Sequence, residues 1–139
     1  MDPRALPGVA ITIRALPPGA EQSAFAHAAL DEIRADHAFT SISHSGDLIA
    51  VAAADVPVGI DVEATKPGRP WKGIAIRTWG DAPPTEEEFY ELWTLHEALI
   101  KARGEGLSTL DRELSSVNLT VTPLDVPPGY KGTLVLEKS

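Results

Sequence analysis

The segment from Thr85 to Gly104 constrains this chain more than any other, because a start signal, a stop signal and a helical stripe coincide in it. Thr85 followed by Glu88 forms a capping box, whose side chains satisfy amides left open in a helix's first turn. Gly104 suits the left-handed conformation with which many helices end. Between them Phe89, Leu92, Trp93, Leu99 and Ile100 define an apolar sector. At ~100° per residue, Tyr90, Glu97 and Lys101 share a stripe beside that sector, and His96 falls inside it. A helix with one apolar sector must bury it against something.

The flanking sequence supplies strands. Val9 to Leu16 alternates and carries β-branched residues, and Pro17-Pro18-Gly19 breaks it. Ala20 to His37 reads as a helix with Phe25, Ala29 and Ile33 on its apolar stripe. Phe39 to Ile42 and Asp47 to Ala54 read as strands joined by a turn, Ser43-His44-Ser45-Gly46. Val58 to Glu63 alternates, so Ile60 and Val62 face one way while Asp61 and Glu63 face the other. Ala64 to Pro84 reads as loop around a short helix at Trp71 to Trp79. Leu119 to Thr122 and Thr133 to Leu136 read as paired strands, with a connection too long for a two-residue hairpin. No internal repeat or linker interrupts the 139 residues, which read as a single domain, residues 1–139.

Composition narrows the function classes. The absence of cysteine excludes disulfides, thiolate catalysis and Cys-ligated zinc. The longest apolar run, Leu48 to Ala54, is far short of the roughly 20 residues that span a bilayer. Met1-Asp2-Pro3-Arg4 lacks the basic-then-apolar layout of a signal peptide, so a cytoplasmic protein without membrane attachment is expected. A net charge of −8 argues against nucleic acid as a partner. Local basic spots occur at Lys66, Arg69, Lys72 and Arg77, and again at Lys101, Arg103 and Lys131.

Asp61, Glu63 and Glu97 could converge with Lys101. Three carboxylates brought together repel unless a hard cation sits among them, and Mg²⁺ takes carboxylates together with water and phosphate oxygens. Lysine beside such a metal would meet a phosphate. Each half alone also has an ordinary counterpart, either a solvated strand face or a surface Glu–Lys pair worth a few tenths of a kcal/mol.

Three blocks of sequence occur in a recognisable order. They are Ser41-Ile42-Ser43-His44-Ser45-Gly46-Asp47, then Pro57 to Glu63, then Leu92 to Leu107. The second is similar to a Pro-x-Gly-x-Asp-x-Glu motif. In the third, Trp93-Thr94, Glu97-Ala98, Lys101 and Gly104-Glu105-Gly106-Leu107 match a Trp-Ser/Thr-x-Lys-Glu-Ala-x-x-Lys signature and its Gly-rich tail. Pro128-Gly129-Tyr130-Lys131 is a weaker fourth match. From about Phe39 onward the chain thus resembles the 4′-phosphopantetheinyl transferases of the surfactin-synthetase-activating type.

That resemblance implies an α/β (α+β) fold in which a curved antiparallel sheet packs on the long helix. The first of the family's two similar halves would be abbreviated, and self-association would then supply it. The resemblance also implies Mg²⁺-dependent transfer of phosphopantetheine from coenzyme A to a serine of an acyl or peptidyl carrier protein. Asp61, Glu63 and Glu97 would hold the metal, with Glu97 and Lys101 catalytic. Ser43, His44, Ser45, His96 and Lys101 would contact coenzyme A, although His96 stands where the family usually has lysine. Two other readings stay open: a non-catalytic descendant that binds a carrier protein or nucleotide, and a metal-dependent phosphodiesterase or nuclease.

Overall fold

The computed structural model describes residues 8–104 and 118–138. In chain order the elements are β1 (Val9–Ala15), α1 (Gln22–Arg34), β2 (Phe39–Ser45), β3 (Leu48–Ala54), β4 (Val58–Ala64), α2 (Trp71–Trp79), α3 (Glu86–Arg103), β5 (Asn118–Pro123) and β6 (Tyr130–Lys138). The fold is mixed α/β. Its strands are hydrogen-bonded as two antiparallel three-stranded sheets, β1-β3-β2 and β4-β6-β5, where the sequence suggested one curved sheet.

The division has a side-chain cause. Edges β2 and β4 lie side by side, but serine hydroxyls bridge them in place of a backbone ladder. Ser41 Oγ accepts from the Ile60 amide at 3.0 Å, Ser43 Oγ from Val62 at 3.0 Å and Ser45 Oγ from Ala64 at 2.9 Å. Period two puts the three serines on one face of β2. The turn expected at Ser43-His44-Ser45-Gly46 is therefore corrected. Ser43, His44 and Ser45 continue β2, with His44 opposite Ile49 and Ser45 opposite Leu48, and the hairpin closes through Gly46 and Asp47. The Ser/Gly composition looked like a turn, but the alternation continues through it.

Four layers result. On one face of β3, Leu48, Ala50, Ala52 and Ala54 pack against Val58, Ile60, Val62, Leu134 and Leu136 of the second sheet. On the other face Ile49, Val51 and Ala53 meet Ala26, Ala29 and Leu30 of α1. Beyond the second sheet, Val135 packs under Ala98, Leu99 and Ala102 of α3. The order is α1, sheet, sheet, α3. Burial on both faces explains why β3 is apolar throughout.

Helix α3 lies unusually close to β4. A Cβ added at Gly59 would stand 1.8 Å from the Ala98 carbonyl oxygen, so only a residue without a side chain permits this approach. The helix ends are those its sequence signals: Thr85 Oγ1 accepts from the Glu88 amide at 3.1 Å, and the Gly104 amide bonds Ile100 O at 2.8 Å. Thr94, fully buried in mid-helix, meets Thr133 Oγ1 at 2.8 Å and ties α3 to β6. On its other side α3 packs against α2 through Phe89 and Trp93, which contact Trp71 and Trp79. Residues Glu105-Gly106-Leu107 of the third sequence block lie outside the described residues.

Candidate active site at the seam between the sheets

Alternation along β4 sends Ile60 and Val62 into the core and turns Asp61 and Glu63 the other way, toward α3. Lys101 arrives from α3 one layer above. Its Nζ donates to Asp61 Oδ1 at 3.2 Å, to Ile60 O at 3.0 Å and to Ile42 O at 3.1 Å. The ammonium thus sits across the β2–β4 seam. It reaches Asp61 rather than back along the helix to Glu97, the partner that i, i+4 spacing suggested.

Ser43 Oγ lies 3.3 Å from Asp61 Oδ1, close enough to donate to it while accepting from Val62. The second carboxylate oxygen, Asp61 Oδ2, is buried and has no hydrogen-bond partner among the described residues. Burial pushes the Asp61 carboxyl up to about 6, Lys101 pulls against that shift, and the nearby charges of Glu63 and Glu97 add to it. Asp61 therefore lies in the field of both other acidic residues.

Glu63 has a cation of its own. Its Oε1 accepts from Arg69 Nη1 at 3.2 Å, and Ser45 Oγ stands 3.5 Å away. The Arg69 guanidinium lies over the Tyr90 ring, 5.5 Å from its centroid. Two cations facing three carboxylates leave an excess of negative charge. Among the described residues no three Asp, Glu or His side chains are already gathered as a metal cage. The bare Oδ2 of Asp61 nevertheless fits a hard cation, since a buried carboxylate oxygen needs a counter-charge or a donor.

The sequence-derived site residues divide into two groups. Asp61, Glu63, Lys101, Ser43 and Ser45 gather at the seam, with Glu97 on α3 near enough for its charge to be felt at Asp61, and the two serines use their hydroxyls on β4 and its carboxylates. His44 points away from that group. It is exposed and within electrostatic reach of Glu21 at the start of α1. His96 lies on the α2 side of α3, its ring 5.3 Å from that of Trp79. Sequence reasoning left Arg69 in a basic loop; Pro67-Gly68, turning the chain back between Glu63 and Arg69, was the available signal. It also missed Ser41, whose alternation with Ser43 and Ser45 marks one strand face.

Comparison with known proteins places the chain in a family. The 4′-phosphopantetheinyl transferase superfamily matches residues 57–131, just over half of the 139, and the chain belongs to that superfamily. The match runs from the turn before β4 into β6, so it includes Asp61, Glu63, Glu97 and Lys101. A 4′-phosphopantetheinyl transferase of Bacillus subtilis is 40% identical over 107 residues, covering 66% of this chain and 45% of that protein. The 4′-phosphopantetheinyl transferase psf-1 of Bacillus pumilus is 37% identical over 76 residues, 49% of this chain and 33% of its own. The enzyme AcpT of Salmonella typhi is 35% identical over 75 residues, 46% and 39% respectively. The chain spans between a third and a little under half of these relatives' lengths.

Proposed function

We propose that this protein transfers 4′-phosphopantetheine from coenzyme A to a serine of an acyl or peptidyl carrier protein in the cytoplasm, with Mg²⁺ held by Asp61, Glu63 and Glu97. The observation that carries this reading is Asp61. It is buried, held by Lys101 through one oxygen, bare at the other, and within the field of two further carboxylates. Membership of the superfamily and the named activity of the relatives support the same reading. No helix among the described residues is long and apolar enough to cross a membrane.

The bound metal would neutralise charge that grows on the pyrophosphate as its bond breaks. The protein's own residues do the rest. Ser43 and Ser45 orient the two β4 carboxylates from below. Lys101 meets a phosphate oxygen as a point charge, from the position where it now bridges Asp61 and two carbonyls. Glu97 accepts the proton of the carrier serine. The serine oxygen bonds to the phosphorus that bears pantetheine, and the bond from that phosphorus to the bridging oxygen breaks. The bridging oxygen leaves with adenosine 3′,5′-bisphosphate. His44, exposed at the end of β2, is assigned to a phosphate at the nucleotide end. His96, its ring tilted against that of Trp79, takes no part in the step.

Mass spectrometry across a panel of carrier proteins tests this reading. The phosphopantetheine mass increase should appear with Mg²⁺ and coenzyme A. It should fall about a hundredfold or more in Lys101→Ala and Glu97→Gln, the scale of losing one electrostatic stabiliser of a transition state. Both variants should stay folded by circular dichroism. Coenzyme A binding without transfer to any carrier would instead identify a non-catalytic binding protein. Full activity in both variants would reduce Glu97 and Lys101 to structural roles.

A further inference from the structure

We propose that Arg69 is an exchange residue: it occupies Glu63 while the metal is away and turns to a phosphate of the substrate once the metal takes Glu63 over. The inference rests on the reading of Asp61, Glu63 and Glu97 as metal ligands, and it adds a cation and a coupling that the reading does not contain.

Three features of the structure point to it. Each β4 carboxylate has a separate cation, Lys101 for Asp61 at 3.2 Å and Arg69 for Glu63 at 3.2 Å. The Arg69–Glu63 pair is shielded, its side chains 21% and 22% exposed, so the guanidinium competes with a metal for Glu63 with little screening. The guanidinium also lies over the ring of Tyr90, which is fully buried and so holds a fixed position. An aromatic face attracts the cation independently of Glu63. Arg69 therefore has a second place to rest when its carboxylate is taken.

The backbone around Arg69 is anchored while its side chain spans the site. Its amide bonds Lys66 O at 3.3 Å, its carbonyl accepts from the Trp71 amide at 2.7 Å, and Pro70 follows it. Movement is thus confined to the side chain. A divalent cation arriving at Glu63 repels the guanidinium, and the incoming phosphate offers it two oxygens in the forked geometry that arginine matches. Metal-free, Arg69 lowers the repulsion among three carboxylates. Metal-loaded, it becomes an anion contact. Metal and phosphate would therefore bind with positive coupling through a single side chain.

Calorimetric titration separates this from a fixed ion pair. Mg²⁺ alone is titrated into wild type and Arg69→Gln, and coenzyme A is then titrated in saturating Mg²⁺. Removing the competing cation should tighten Mg²⁺ binding about three- to tenfold, the range expected when one shielded charge is taken away. The same variant should bind coenzyme A about tenfold more weakly, having lost a charge-assisted contact. Arg69→Lys should keep the wild-type metal affinity but not the full coenzyme A affinity. Glu63→Gln gives a test that leaves Arg69 in place: with its carboxylate gone, coenzyme A binding in the absence of Mg²⁺ should tighten about threefold. Weaker Mg²⁺ binding in Arg69→Gln overturns the exchange, because Arg69 would then be positioning Glu63 for the metal. Unchanged affinities in both titrations also overturn it. If wild type binds no Mg²⁺, the metal reading itself fails and takes this inference with it, an outcome distinct from intact wild-type binding that Arg69→Gln leaves unaltered.

Discussion

Asp61 shows how a single residue links the site to stability. Its carboxyl is raised from an ordinary 3.8 to about 6, with burial the largest cause. Between those values the folded protein holds a proton that the unfolded chain has released. Stability from this group is therefore full below about pH 4, declines as pH rises toward 6, and stays reduced above, by on the order of 2–3 kcal/mol. Asp61→Asn removes the buried charge and should melt higher than wild type at pH 7.5 in chelator. The gap should close toward pH 4, and the variant should lose stabilisation by Mg²⁺. Thermal melts from pH 4 to 8, with and without Mg²⁺, check all three points. A wild type whose pH profile parallels that of the variant would remove the buried charge from the account. The sequence made part of this legible: period two on β4 correctly put Asp61 and Glu63 on one side. Convergence of Lys101 with Asp61 was one reading, but the sequence could not choose it over a Glu97–Lys101 pair, because i, i+4 spacing sees only the residue's own helix.

At the scale of elements, α3 was readable because its signals are local: Thr85, Glu88, Gly104 and an apolar sector all act within one segment. The seam between β2 and β4 was not, because it depends on which strand edges meet. Three serines look like turn residues until a second edge offers its amides. Each amide they cap is buried or partly buried, so losing an acceptor leaves a donor stranded. Ser41→Ala should therefore cost about 1–3 kcal/mol in urea denaturation. Gly59→Ala should cost about 3 kcal/mol or more, since the Ala98 carbonyl lies where the new Cβ would go and backbone must shift to admit it. An Ala variant at Gly59 with wild-type stability would mean that α3 can move off β4 freely. The same glycine then sets the distance from which Lys101 reaches β4.

Across the whole molecule, the decisive feature is that one apolar cluster belongs to both sheets. Leu48, Ala50, Ala52 and Ala54 cannot stay buried if the second sheet departs, and Val58, Ile60, Leu134 and Leu136 lose the same contact. The serine bridges and Lys101, which holds Ile42 O and Ile60 O together, reinforce that junction at its edge. The two sheets should therefore unfold together. The three tryptophans allow a direct test, because Trp71, Trp79 and Trp93 all lie in the α2–α3 cluster and report only that end of the layers. Far-ultraviolet circular dichroism reports both ends, including α1 and its sheet. In urea the tryptophan and circular-dichroism transitions should coincide at one midpoint, as two-state unfolding requires. Ser41→Ala should lower that midpoint with the two probes still superimposed, since the shared core survives the loss of one bridge. If the tryptophan signal changes first while half of the circular-dichroism signal persists, the sheets are separate folding units. The seam that carries the candidate site would then be a contact between two such units rather than part of one core.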